Sequence, residues 1–304
     1  LRTLVSKAFN RSQIERLAPR IDAIIIELLN NCEEKNEFDL LADFAEPLPV
    51  QVIAELLGVS KKDEHLLRPW SQAIVKMYEF EVTPEEESQA EIASREFAAM
   101  ITDMVNVRKK NPTDDLVSEL AQVEDSGEKL TLRELIATCV LLLNAGHEAS
   151  VNAFGNGFVA SINDENASSL LRTQPRVISE TAVEEFLRFD APLQLFERTA
   201  LADTEIGGVT IKTGEKIAAL LGSANRDEKV FNDASSIDVT RNPNNHIAFG
   251  GGIHFCLGAP LARLEMNRSL PALFEKFPAI SIIKEPIQRQ SFVLRGYHEI
   301  SVSA

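Results

Sequence analysis

Through the first half of the chain apolar residues recur at helical spacing. Ile21, Ile24, Ile25, Leu28 and Leu29 share one face, as do Val50, Ile53, Ala54 and Leu57 ahead of Gly58, a natural helix stop. After Trp70 to Tyr78, Pro84 opens an acidic turn of Glu85, Glu86 and Glu87, whose charges suit a helix N-terminus. That stretch runs toward Lys109 and Lys110 and predicts one long surface helix. Thr131 and Glu134 then form a capping box, and apolar residues continue on nearly every side to Ile162. A helix that is apolar all round is a buried one, so this segment predicts a long central helix.

The second half is mixed. A helix is expected from about Val177 to Arg188, short strands within Ala200 to Leu221, and a helix over Leu257 to Phe274 with Pro260 in its first turn. Asn225 to Asn245 is rich in Asn, Asp and Ser without periodicity and predicts a long irregular loop, often functional in a compact domain. Phe292 to Val302 suggests a closing hairpin. With no internal repeat and no clear linker, the fold class is mainly α with small β-sheets (α+β), in one domain spanning residues 1–304.

Composition narrows the class without changing it. Apolar residues make up 44% and charged residues 25%, as in folded globular chains. A net charge of -15 argues against broad binding to nucleic acid or anionic lipid, which select Lys and Arg. The apolar run from Cys139 to Gly146 is broken by His147 and Glu148, too short to span a bilayer, so no membrane partner is expected. Cys32, Cys139 and Cys256 are far apart and odd in number, which fits a reducing compartment. The opening LRTLVSKAF does not resemble a signal peptide, and a cytoplasmic location is the expectation.

The chemistry points to Cys256. The segment FGGGIHFCLGAPLARLE, Phe249 to Glu265, sets this cysteine between a three-glycine run and the start of an amphipathic helix. Glycines let backbone approach a flat ligand closely. A cysteine before a helix has backbone N–H groups and the positive dipole end to hold it as thiolate. A lone cysteine is more often a small buried hydrophobe. A zinc site would need more ligands than Cys256, His246 and His254, and a nucleotide loop would need a Gly-x-Gly-x-x-Gly turn after a strand.

The segment resembles the signature of the cytochrome P-450 superfamily, Phe-Gly-x-Gly-x-His/Arg-x-Cys-x-Gly, matched by Phe249, Gly250, Gly252, His254, Cys256 and Gly258. The resemblance implies a mainly helical fold holding haem b with Cys256 as the metal ligand, and His254, as in soluble bacterial members, bonded to a haem propionate. Arg198 and Arg2 resemble two further propionate-binding arginines. Glu185 and Arg188 resemble the family's buried Glu-x-x-Arg pair, normally tied to the loop before the cysteine. Here Ser236 occupies the usual loop position and Arg241 is the substitute partner.

AGHEAS, Ala145 to Ser150, resembles the family's oxygen-binding motif. Ala145 and Gly146 leave room for oxygen, and Glu148 is a proton-relay candidate because a carboxylate in so apolar a helix is costly without partners. Ala149 stands where the family usually carries a threonine hydroxyl, so Ser150, an ordered water or a substrate hydroxyl is expected to replace it. Leu141, Asn144, Leu193 and Val293 are the substrate-facing candidates. The implied activity is insertion of one oxygen atom from O2 into a small to medium apolar organic substrate. Electrons would come ultimately from NAD(P)H through ferredoxin and ferredoxin reductase type donors, docking near Arg263 and Arg268. A peroxide-using or non-oxygenating haem-thiolate enzyme and a non-catalytic haem-binding fragment are the alternatives. The family is longer at its amino-terminal end, where LRTLVSKAF resembles the middle of an early helix.

Overall fold

The computed structural model describes residues 2–79, 81–125 and 127–304. About 58% of the chain is helical. The central helix, Leu132–Ile162, starts where the sequence places it: the Glu134 N–H donates to Thr131 Oγ1 at 3.2 Å, and the Thr131 N–H donates back to Glu134 Oε2 at 2.9 Å. Helices Pro47–Leu57, Leu67–Val75, Pro84–Arg108 and Pro175–Phe189 pack around it. Its small residues set the closeness of that packing. A methyl at Gly157 would land inside the Phe186 ring, and one at Gly146 would lie 2.9 Å from Ile53.

Other predicted boundaries hold for local reasons. Gly58 ends the Pro47–Leu57 helix at φ 76°, a left-handed conformation that glycine adopts at little cost. Pro84–Arg108 carries its own capping box, Thr83 with Glu86, and buries Ala90, Ala93, Phe97, Ile101 and Val105 along one stripe. The helix Arg11–Glu33 buries its Ile21, Ile24, Ile25, Leu28 and Leu29 face, packing on Ala259–Lys276 and Pro47–Leu57.

The carboxyl-terminal hairpin is a correction. Tyr297–Glu299 pairs with Ile287–Gln288, whereas Ser301–Ser303 is the middle strand between Glu37–Asp39 and Ser281–Ile282. Buried Ile300 divides the two pairings. Between Leu195 and Leu220 the predicted short strands form two antiparallel pairs, Leu195–Thr199 with Lys216–Leu220 and Thr204–Ile206 with Val209–Ile211.

Candidate active site

Cys256 lies on a tight loop between the irregular segment and the Ala259–Lys276 helix. Gly250 and Gly252 take φ of 71° and 61°, and the Cys256 N–H donates to Phe249 O at 2.9 Å, which folds the loop back on itself. The backbone N–H groups of Gly258 and Ala259, at the start of that helix, favour the thiolate form of this sulfur. Burial raises its pKa, opposed by those two donors and by the Arg2 and Arg263 charges, so the thiol titrates above its usual range. Its surroundings therefore supply the donors for a metal-bound thiolate, while metal coordination would supply the remaining drive for proton loss.

The loop before the cysteine is tied down by Glu185 and Arg188, both fully buried on the Pro175–Phe189 helix. Arg188 forks onto Glu185 with two 2.7 Å bonds and donates to the carbonyls of Asn225, Ala234 and Ser236 at 2.9–3.0 Å. Glu185 also accepts from Arg241 Nε at 3.1 Å, Asn244 Nδ2 at 3.0 Å and the Asp238 N–H at 2.8 Å. Arg241 is thus the third side chain of the cluster, and Ser236 contributes its backbone carbonyl. Every bond reaching this buried carboxylate comes from a donor, as a buried charge requires.

On the central helix, Leu141 (56% exposed) and Ala145 continue an open stripe that begins at Ala137, with Ala149 half-buried one turn on. Glu148, at the edge of that stripe by its 100° helical step, is 2% exposed. Its Oε2 accepts from Arg289 Nη1 at 2.5 Å, and Arg289 also approaches Glu46 at 3.7 Å. Glu46 pairs in turn with Arg68. No spacing in the sequence pointed to Arg289, which lies 141 residues away. Asn144, read as substrate-facing, is buried instead, and its amide donates to Val140 O at 2.7 Å. His147 is fully buried against Ser71, and burial presses its pKa down to about 4. Ser150 and Glu265 line a cavity of about 10 Å³ between the central helix and the Ala259–Lys276 helix. Burial pushes the Glu265 carboxyl up to about 8.

Arg2 reaches the Cys256 loop, donating to Phe255 O. Arg198 donates to Glu197 O at 2.7 Å and stacks on Phe196. Arg2, Arg198 and His254 are exposed and meet no carboxylate among the described residues. Leu193 bridges to Leu294, and the Gln194 N–H donates to Val293 O at 3.1 Å, so two substrate-facing candidates from distant segments come together. The proposed docking cations are already paired, Arg263 with Glu184 at 2.6 Å and Arg268 with Asp22 at 2.5 Å. Neither offers an uncompensated charge to a partner.

The family model for Cytochrome P450 matches residues 174–295. The chain is 40% identical to the polyketide biosynthesis cytochrome P450 PksS of Bacillus subtilis, over 100% of this chain and 74% of that protein. It is 40% identical to 6-deoxyerythronolide B hydroxylase of Saccharopolyspora erythraea, over 99% of this chain and 74% of that one. In structure it is similar to P450BioI in complex with hexadec-9Z-enoic acid ligated acyl carrier protein, with a TM-score of 0.94 and 35% identity over 99% of this chain and 78% of that one.

Proposed function

The chain belongs to the cytochrome P450 family and is a haem-dependent monooxygenase of that type, and from this premise we propose that Cys256 is the thiolate ligand of haem b in a single haem domain. The observation that carries the proposal is the convergence on one thiol of two helix-start N–H donors, a glycine loop and two nearby guanidinium charges. The open apolar stripe of Leu141 and Ala145 fits a flat macrocycle, and exposed Arg2, Arg198 and His254 fit its carboxylate edge. Phe249, Gly250 and Gly258 shape the loop, while Gly146 lets the central helix approach Ile53.

Haem, when bound, supplies the iron at which O2 is activated, and a thiolate ligand favours O–O cleavage. The protein's own task is to hold the sulfur, orient the substrate and deliver protons. Glu148 is the relay group, held by Arg289 at the edge of the open stripe. Ala149 has no hydroxyl, so Ser150, a water or the substrate's own hydroxyl completes the path. We assign the substrate as a small to medium apolar molecule contacting Leu141, Leu193 and Val293. The polyketide and acyl relatives support that class, since a relative is named for polyketide biosynthesis and another is solved with an acyl carrier protein. Electrons come from NAD(P)H through a ferredoxin-type partner, docked elsewhere than on Arg263 and Arg268. Among the described residues no helix is long and apolar enough to cross a membrane.

The test is the spectrum of the reduced carbon monoxide complex. The haem-loaded chain should show the strongly red-shifted Soret band of thiolate ligation and Cys256→Ala should lose it; a Cys256→Ala protein that kept the band would sink the assignment.

A further inference from the structure

Glu184 and Glu185 are adjacent on one helix, so their side chains leave it about 100° apart and grip different things. Glu185 holds the second half of the irregular loop, through Asp238, Arg241 and Asn244. Glu184 holds the segment just beyond it and the helix after Cys256. It accepts a forked bond from Arg263 at 2.6 and 2.7 Å, and its Oε2 meets His246 Nε2 at 2.9 Å. The Ala248 N–H donates to His246 Nδ1 at 3.2 Å, which leaves the ring proton on Nε2 to be donated to Glu184. The His246 ring is 2% exposed and Glu184 is 25% exposed. Burial by itself would raise the Glu184 carboxyl, but the bonds from Arg263 and His246, together with the Arg263 charge, outweigh it and hold the group at about 2. It is an anion throughout the neutral range.

Arg263 connects this carboxylate to the thiolate loop. Its guanidinium stacks over the Phe249 ring, 4.5 Å from the centroid, and the Phe249 carbonyl receives the Cys256 N–H. Its charge also reaches the Cys256 sulfur. An unpaired guanidinium there would draw electron density from the sulfur, and a displaced one would release Phe249. Glu184 prevents both.

We propose that Glu184 is a positioning residue for the haem ligand: by clamping Arg263 and His246 it fixes the Cys256 loop and offsets the Arg263 charge beside it. The proposal rests on Cys256 being the ligand. It gives a signed expectation, because one-electron reduction adds negative charge to the site, which an uncompensated Arg263 would favour and an uncompensated Glu184 would oppose.

The experiment is a spectroelectrochemical titration of the haem-loaded chain and its variants, with the reduced carbon monoxide spectrum recorded for each. Glu184→Gln should shift the ferric–ferrous equilibrium about tenfold toward ferrous, about 59 mV for one electron. Arg263→Gln should move it the other way, Glu184→Asp should stay near the wild type, and the double variant should return toward it. A purely structural role would cost both single variants haem without opposite shifts in potential. Shifts of the same sign, or none beyond about threefold, would overturn the clamp while leaving the thiolate assignment intact if the red-shifted band persists. A wild-type chain without that band would overturn both. Should Glu184→Gln fail to hold haem, the sign of the Arg263→Gln shift decides.

Discussion

Replacing Arg188 with Leu should unfold the loop that leads to Cys256. Arg188 is wholly buried and makes five hydrogen bonds, two to Glu185 and three to the carbonyls of Asn225, Ala234 and Ser236. Removing one partner of a buried ion pair costs about 3–5 kcal/mol. Glu185 keeps Arg241, Asn244 and the Asp238 N–H, which places its share near the lower end. Each carbonyl left without its donor adds about 1 kcal/mol unless water enters. The total is then about 5 kcal/mol or more, a large part of the roughly 5–15 kcal/mol that keeps a typical domain folded. Arg176→Ala is the control, since Arg176 makes an equally short fork to Glu275 but is 75% exposed, where such pairs contribute below about 1 kcal/mol. The assay is urea unfolding followed by circular dichroism and by the fluorescence of the single tryptophan, buried Trp70, with amide exchange mapping the segment 225–248. If Arg188→Leu cost no more than Arg176→Ala, burial would not be what gives this pair its weight.

Gly157→Ala should lower the melting temperature, because the added methyl occupies the space of the Phe186 ring and overpacking costs about 1–3 kcal/mol; an unchanged melting curve would show that the two helices separate freely. Glu265 carries a pH signature. Its folded pKa, about 8, lies above the 4.5 of the free group, so the folded state retains a proton the unfolded chain has lost, and stability falls as pH rises between those values. Glu265→Gln should flatten that slope in urea midpoints measured from pH 5 to 8, and an unaltered slope would refute the burial argument. Ala149→Thr should decrease the hydrogen peroxide released per NAD(P)H oxidised in the reconstituted enzyme, since it restores a hydroxyl beside Glu148; equal leakage would show that the native chain already has an equivalent donor.

What the sequence determined by itself is what depends on neighbours a few residues apart. The capping box at Thr131, the stop at Gly58, the buried stripe from Ile21 to Leu29 and the cysteine loop all follow from the helical repeat, from φ preferences and from i to i+3 contacts. Membership of the family was legible for the same reason, its signature being one continuous segment. The periodicity even marked the central helix as buried, but it could not show that Leu141 is open while Asn144 is turned inward, because both positions lie on a helix apolar nearly all round. The family resemblance brought Arg241 to the Glu185 pair, but tertiary structure decided which of the other basic residues meets which carboxylate: Arg289 with Glu148, Arg263 with Glu184. It also took the last strand away from its expected hairpin to pair with Glu37–Asp39. Such partners lie tens to hundreds of residues apart. Their encounter depends on where packed helices carry the chain, and no local pattern of apolar and polar positions encodes that path.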